Sequence, residues 1–203
     1  MPANRGKAFI GLVVGGVVLG VTGALARDGL SAAEVRVFRR FNSQTAPSFA
    51  VVWVPMQYGT LGAVPALAVA AIARRRPRVA VALGASGAAA WVLAKAVKPM
   101  VGRGRPATLL PDVRRRGEES GRDFGFPSGH AAVSAALTVA AWPYSASGWR
   151  IASAAMAGFV PAARLYTGVH LPLDVLGGSA LGLCVASAVK LVLGAKADGE
   201  ATQ

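Results

Sequence analysis

Long apolar runs alternate with short polar breaks along this chain. The first run covers residues 8–26, after Arg5 and Lys7. Further runs predict spans at 58–73, 79–97, 128–143, 151–166 and 173–193. A helix that crosses a bilayer needs about 20 mostly apolar residues, and these runs approach that length. Between the first two, residues 30–41 set Leu30, Ala33, Val37 and Phe41 at helical spacing, with Arg36, Arg39 and Arg40 between them. That pattern suits a short amphipathic helix at a membrane interface. Pro55, Gly59, Gly62 and Pro65 interrupt the stretch 47–73, so its first part reads as a partly inserted lead-in. Residues 99–126 form the largest polar loop. The predicted fold is all-α: an integral-membrane six-helix bundle with a short interfacial helix and a polar loop between spans three and four. It is read as one membrane domain over 1–203, with a flexible tail over 196–203.

Ala24-Leu25-Ala26 resembles a signal-peptidase site, yet the first run is long for a signal peptide and more spans follow, so an uncleaved span is expected. Six spans put both termini on one side and the loops after spans one, three and five on the other. The terminal side carries Arg5, Lys7, Arg74, Arg75, Arg76, Arg78, Arg150 and Lys196. The opposite side carries at least as many basic residues, so charge counting leaves the orientation open. Gly11/Gly15, Gly16/Gly20 and Gly178/Gly182 have the spacing that lets membrane helices pack closely.

Composition agrees with this picture: 54% of residues are hydrophobic and 15% charged. The net charge is +13. The basic residues sit in breaks between apolar segments, which favours lipid headgroups or an anionic substrate over nucleic acid. Alanine, glycine and arginine usage suggests a GC-rich bacterial source, and hence a bacterial plasma membrane. The single cysteine, Cys184, has no partner for a disulfide or a structural zinc site. No cofactor is expected.

Three polar clusters stand at the ends of spans three, four and five, on one side of the predicted bundle. They are Lys98 with Arg105-Pro106, then Pro127-Ser128-Gly129-His130, then Arg164 with His170 and Asp174. Both histidines of the chain fall within them. Lys98, Arg105 and Arg164 are cations that can grip a phosphate. Ser128 is a good N-cap, and Gly129 lets the backbone approach a ligand, so the free N–H groups of that first turn form an anion cradle. Stabilising charge on phosphoryl oxygens is the main demand of phosphoryl transfer. A neutral imidazole can attack phosphorus, and a second, protonated one can donate to the leaving alkoxide. Asp174 lies four residues after His170, within reach of its far nitrogen. This assigns His170 as nucleophile, Asp174 as its orienting carboxylate and His130 as acid/base.

Lys-x6-Arg-Pro, Pro-Ser-Gly-His and Arg-x5-His-x3-Asp, in this order, resemble the signature of the type 2 phosphatidic acid phosphatase superfamily. That group includes bacterial lipid phosphatases, glucose-6-phosphatase and the vanadium haloperoxidases. Residues 98–174 carry the match, with 20 residues between the first two blocks and 32 before Ala163. The resemblance implies a helical bundle, metal-independent hydrolysis and the roles argued above. Ala163 departs from the serine usual before the third-block arginine, which removes one phosphate contact.

The expected activity is removal of phosphate from a membrane lipid through a phosphohistidine. Prenyl diphosphate, phosphatidate and phosphatidylglycerol phosphate are the candidate substrates, and the site is expected on the extracytoplasmic side. The alternatives are a phosphotransferase or a vanadate-dependent haloperoxidase-like enzyme on the same site, and a non-catalytic lipid-binding or transport protein. Lys95 reads as a snorkelling or supporting charge, and Arg114-Arg115-Arg116 as headgroup contacts. Glu118, Glu119 and Asp123 lack metal-ligand spacing and read as loop solvation. Trp53, Trp91, Trp142 and Trp149 read as interface anchors or packing.

Overall fold

The computed structural model describes residues 2–45, 47–117 and 124–200. Glu118, Glu119, Asp123 and the last three residues of the expected tail therefore lie outside the described residues. The described residues form helices and connecting turns, with no strand. In chain order the α-helices are α1 (Pro2–Arg27), α2 (Ala32–Asn42), α3 (Phe49–Met56), α4 (Ala63–Ala73), α5 (Pro77–Val101), α6 (Pro106–Leu109), α7 (Gly129–Ala141), α8 (Ser147–Tyr166) and α9 (Pro172–Glu200).

The inner helix is α7. Its residues from Ala131 to Ala140 are buried apart from Val139, because α5, α8 and α9 wall it in. Close approach depends on missing side chains. A Cβ on Gly182 of α9 would lie 2.8 Å from Ala135 Cβ and 2.9 Å from the Ala136 nitrogen of α7. Helix α1 crosses α9 in the same way: a Cβ on Gly15 would sit 2.8 Å from the Ala180 carbonyl oxygen. Without a hydrophobic drive between helices in lipid, such backbone approach is what holds them together. Of the glycine pairs seen in the sequence, Gly11/Gly15 and Gly178/Gly182 meet neighbours, whereas Gly16 and Gly20 face open space.

Phe9, Ile10, Val13, Val14, Val17 and Val21 of α1 are exposed, which is the expected state of a lipid-facing stripe. Helices α1, α5 and α9 are long and apolar enough to cross a membrane. The α3/α4 pair passes the same test together but bends by 65° at its break. Pro55, Gly59 and Gly62 sit around that break, so the expected single span over 58–73 is a broken element. Helix α7, with 13 residues, is only about 20 Å long by its rise, short of a bilayer core. The chain is an integral membrane protein in which length and composition support three spans, or four with the bent pair.

Helix α2 begins at Ser31, whose side chain accepts the Glu34 backbone N–H at 3.1 Å. Glu34, Phe38 and Asn42 form its buried stripe, while Val37, Phe41 and the three arginines stay outside. The arginine run after α6 is tied down. Arg116 stacks on the Tyr166 ring at 4.2 Å and donates to the backbone carbonyls of Asn42 and Gln44 at 3.0 and 2.7 Å. Arg114 donates to the Ser43 carbonyl at 3.0 Å. These two side chains cap the C-terminus of α2 instead of reaching out to headgroups, as cations at orphan carbonyls do. Lys95 is exposed on α5 and lies 4.1 Å over the Trp91 ring.

Candidate active site

The three sequence clusters come together at the end of the bundle where α5 ends and α7 and α9 begin. Ser128 is the N-cap of α7, fully buried, and its hydroxyl accepts the Ala131 N–H at 3.5 Å. Its own N–H donates to the Asp174 carbonyl at 2.8 Å, which fastens the start of α7 to the start of α9. The position of a Cβ on Gly129 faces open space, so the first turn of α7 is approachable there. Gly59 backs onto His130: a Cβ at Gly59 would lie 2.6 Å from the His130 carbonyl oxygen.

A cavity of about 460 Å³ opens beside this end, lined by Trp53 and Met56 of α3, Thr167 and Val169, and, of the motif residues, by His130 and Arg164 but not by His170, Lys98 or Arg105. The Arg164 guanidinium approaches Met56 Sδ at 3.6 Å, and its buried Nε has no hydrogen-bond partner within the protein. A buried guanidinium donor left open beside a cavity is suited to an anion from outside. Lys98 Nζ donates to the Phe124 carbonyl, and Arg105 Nη1 to the Val169 carbonyl at 3.4 Å. A larger cavity, of about 770 Å³, lies at the far end of α7 and contains none of the motif residues.

His170 lies in the turn between α8 and α9 and is 3% exposed. Its Nδ1 stands 3.4 Å from Asp174 Oδ2, close enough for ion pairing once the ring is charged, but without hydrogen-bond alignment. Burial, reinforced by the positive fields of Arg164, Lys98 and Arg105, holds the His170 imidazole well below the usual histidine range, with the Gly125 backbone acting the other way. The same three cations, and His170 itself, act electrostatically on His130. The two histidines and three cations chosen from the sequence thus share one electrostatic environment.

Asp174 is completely buried. It occupies the third position of α9 and reaches back so that Oδ2 accepts the Leu171 N–H at 2.8 Å, one half of a capping box. Gly125 packs against it, with room for no side chain: a Cβ there would lie 2.8 Å from Asp174 Oδ2. The other carboxylate oxygen, Oδ1, accepts from Arg103 Nη1 at 3.2 Å. Arg103 also pairs with Glu34 of α2, with Nη1 2.9 Å from Glu34 Oε1. Sequence reasoning missed both Arg103 and Glu34. Arg103 is one of several arginines in its loop, and Glu34 lies 69 residues away on a helix with no motif. The available signal was a lone acid on the face of an amphipathic helix opposite its arginines.

Ala163 sits where the related motif usually has serine. It is buried with Val52, Met56 and Tyr166, so its methyl group packs against α3.

Comparison with curated protein sequences finds no match. Two solved structures share the fold. LpxE from Aquifex aeolicus superposes with a TM-score of 0.70 at 22% identity, over 79% of this chain and 96% of that one. A transmembrane PAP2-type phosphatidylglycerolphosphate phosphatase from Bacillus subtilis superposes with a TM-score of 0.68 at 23% identity, over 87% of this chain and 94% of that one. The sequence profile of the PAP2 superfamily matches residues 78–197, a stretch that contains every motif residue from Lys98 to Asp174, and the chain belongs to that superfamily.

Proposed function

We propose that this protein is a membrane lipid phosphatase that works through a phosphohistidine on His170. Membership of the PAP2 superfamily, and the fold shared with a transmembrane PAP2-type phosphatidylglycerolphosphate phosphatase, support the class of reaction. The 3.4 Å approach of His170 Nδ1 to a fully buried Asp174 carries the mechanism. With Asp174 beside Nδ1, the other ring nitrogen is the attacking atom of this scheme. It forms a bond to phosphorus as the bond to the lipid oxygen breaks, and His130 gives that oxygen a proton. Water then attacks the phosphohistidine, His130 takes a proton from it, and phosphate leaves with His170 restored. Lys98, Arg105, Arg164 and the Gly129 N–H hold the phosphoryl oxygens, while Ser128, whose own N–H is spent on the Asp174 carbonyl, sets that turn as its N-cap. No metal or cofactor takes part in this scheme.

The substrate is a phosphomonoester or diphosphate on a lipid whose tail stays in the bilayer while its headgroup enters the cavity. In this reading residues 1–203 form one domain, the helices complete six crossings, and the site faces the extracytoplasmic side. The test is phosphate release in detergent from prenyl diphosphate, phosphatidate and phosphatidylglycerol phosphate. His170→Ala abolishes release from each lipid that the wild type hydrolyses, and chelators leave wild-type turnover unchanged. Full turnover by His170→Ala overturns the mechanism.

A further inference from the structure

Behind Asp174 lies a buried cluster that the chemistry above does not use. Arg103 and Glu34 are 3% and 4% exposed in their side chains, and Asp174 is fully buried. The Arg103 fork holds both carboxylates at once. Nη1 is shared between Glu34 Oε1 at 2.9 Å and Asp174 Oδ1 at 3.2 Å, while Nη2 donates to Glu34 Oε2 and to the Gly29 carbonyl at 3.4 Å. Glu34 Oε1 also accepts the Leu173 N–H at 3.0 Å, in the first turn of α9. A residue of α2 therefore caps the helix that carries Asp174, where the positive end of the helix dipole favours an anion.

Two carboxylates share one guanidinium in this cluster. Buried charges are costly unless paired, and a structural pair alone would need only one carboxylate. Asp174 also feels the charge of Lys98, and its Oδ2 stands 3.4 Å from the His170 ring, the neighbour that becomes cationic during turnover. Arg103 holds Oδ1 and the Leu171 N–H holds Oδ2, which leaves Oδ2 3.4 Å from His170 Nδ1.

We propose that Glu34 and Arg103 are positioning residues, which lock the Asp174 carboxylate toward His170 and so make α2 part of the catalytic apparatus. This rests on the phosphohistidine reading above. The experiment uses the full chain in detergent and a lipid phosphate that the wild type hydrolyses. Glu34→Gln keeps the shape and removes the charge. Supporting partners of reacting groups commonly contribute about 10–100-fold, so kcat is expected to fall by about that factor while KM stays within about twofold. The loss acts through Asp174, so Glu34→Gln added to Asp174→Asn lowers kcat by less than about twofold further. Glu34→Asp restores part of the rate. If Glu34→Gln does not fold, Arg103→Lys, which keeps the charge without the fork, is read on the same scale.

A folded Glu34→Gln or Arg103→Lys variant with wild-type kcat overturns the proposal. So does a loss that recurs undiminished in the Asp174→Asn background. His170→Ala, run alongside, separates the two levels. If it is inactive while Glu34→Gln is normal, only the positioning role fails. If it is active, the mechanism and the positioning role fail together.

Discussion

Replacing Asp174 with asparagine tests the mechanism at its most informative point. The carboxylate is fully buried and its Oδ2 lies 3.4 Å from His170 Nδ1. When His170 attacks phosphorus its ring becomes cationic. At an effective dielectric of about 20, a unit charge pair at this 3.4 Å separation is worth about 5 kcal/mol. That corresponds to about 10³- to 10⁴-fold in rate, an upper bound because asparagine keeps a dipole. Stability should move differently. With two carboxylates and one guanidinium in the cluster, Asp174→Asn leaves Arg103 and Glu34 as a balanced pair. The one carbonyl oxygen left can accept from Leu171, which keeps the cap, while the amide NH2 meets the Arg103 fork as donor against donor and costs about 1 kcal/mol or more. The expected result is a protein that melts within a few degrees of wild type and has lost at least about 100-fold in kcat, with KM nearly unchanged. Steady-state phosphate release and a thermal melt in the same detergent give both numbers. A kcat within tenfold of wild type, or a loss of activity that only tracks unfolding, refutes the electrostatic argument.

Gly182→Ala should destabilise the bundle by about 1–3 kcal/mol, because the new methyl meets α7 backbone that cannot yield. Gly16→Ala, on the same kind of spacing but facing open space, should be neutral or slightly stabilising, and thermal melts compare the two. His170 supplies a pH prediction. In the unfolded chain it binds a proton near pH 6.5, whereas the fold holds it neutral to well below that value. The unfolded state then carries the extra proton below about pH 6.5, so this contribution to stability is complete above that pH and is lost as the pH falls. Melts at pH 5 and pH 7.5 should differ more for the wild type than for His170→Gln, and equal differences would reject the assignment.

The helices and the three motif clusters were legible in the sequence because both are written locally. Apolar runs set where helices form, and a four-residue interval sets His170 against Asp174 once α9 begins between them. Ser128 announced the start of α7 through its capping chemistry. What lies behind the site was not legible. Glu34 meets Arg103 across 69 residues and three intervening helices, and neither has a local pattern that names its partner. In α2 the periodicity picked out Val37 and Phe41, but packing turned Glu34, Phe38 and Asn42 inward. Gly16/Gly20 and Gly178/Gly182 have the same spacing, and only the way α9 packs against α1 and α7 decided which pair is a contact. The bend between α3 and α4 likewise needed the break residues and the neighbouring helices together. Local sequence fixes the period and the ends of a helix. Which face is buried, and which charges share that burial, depends on helices far away in the chain, and only the tertiary structure decides it.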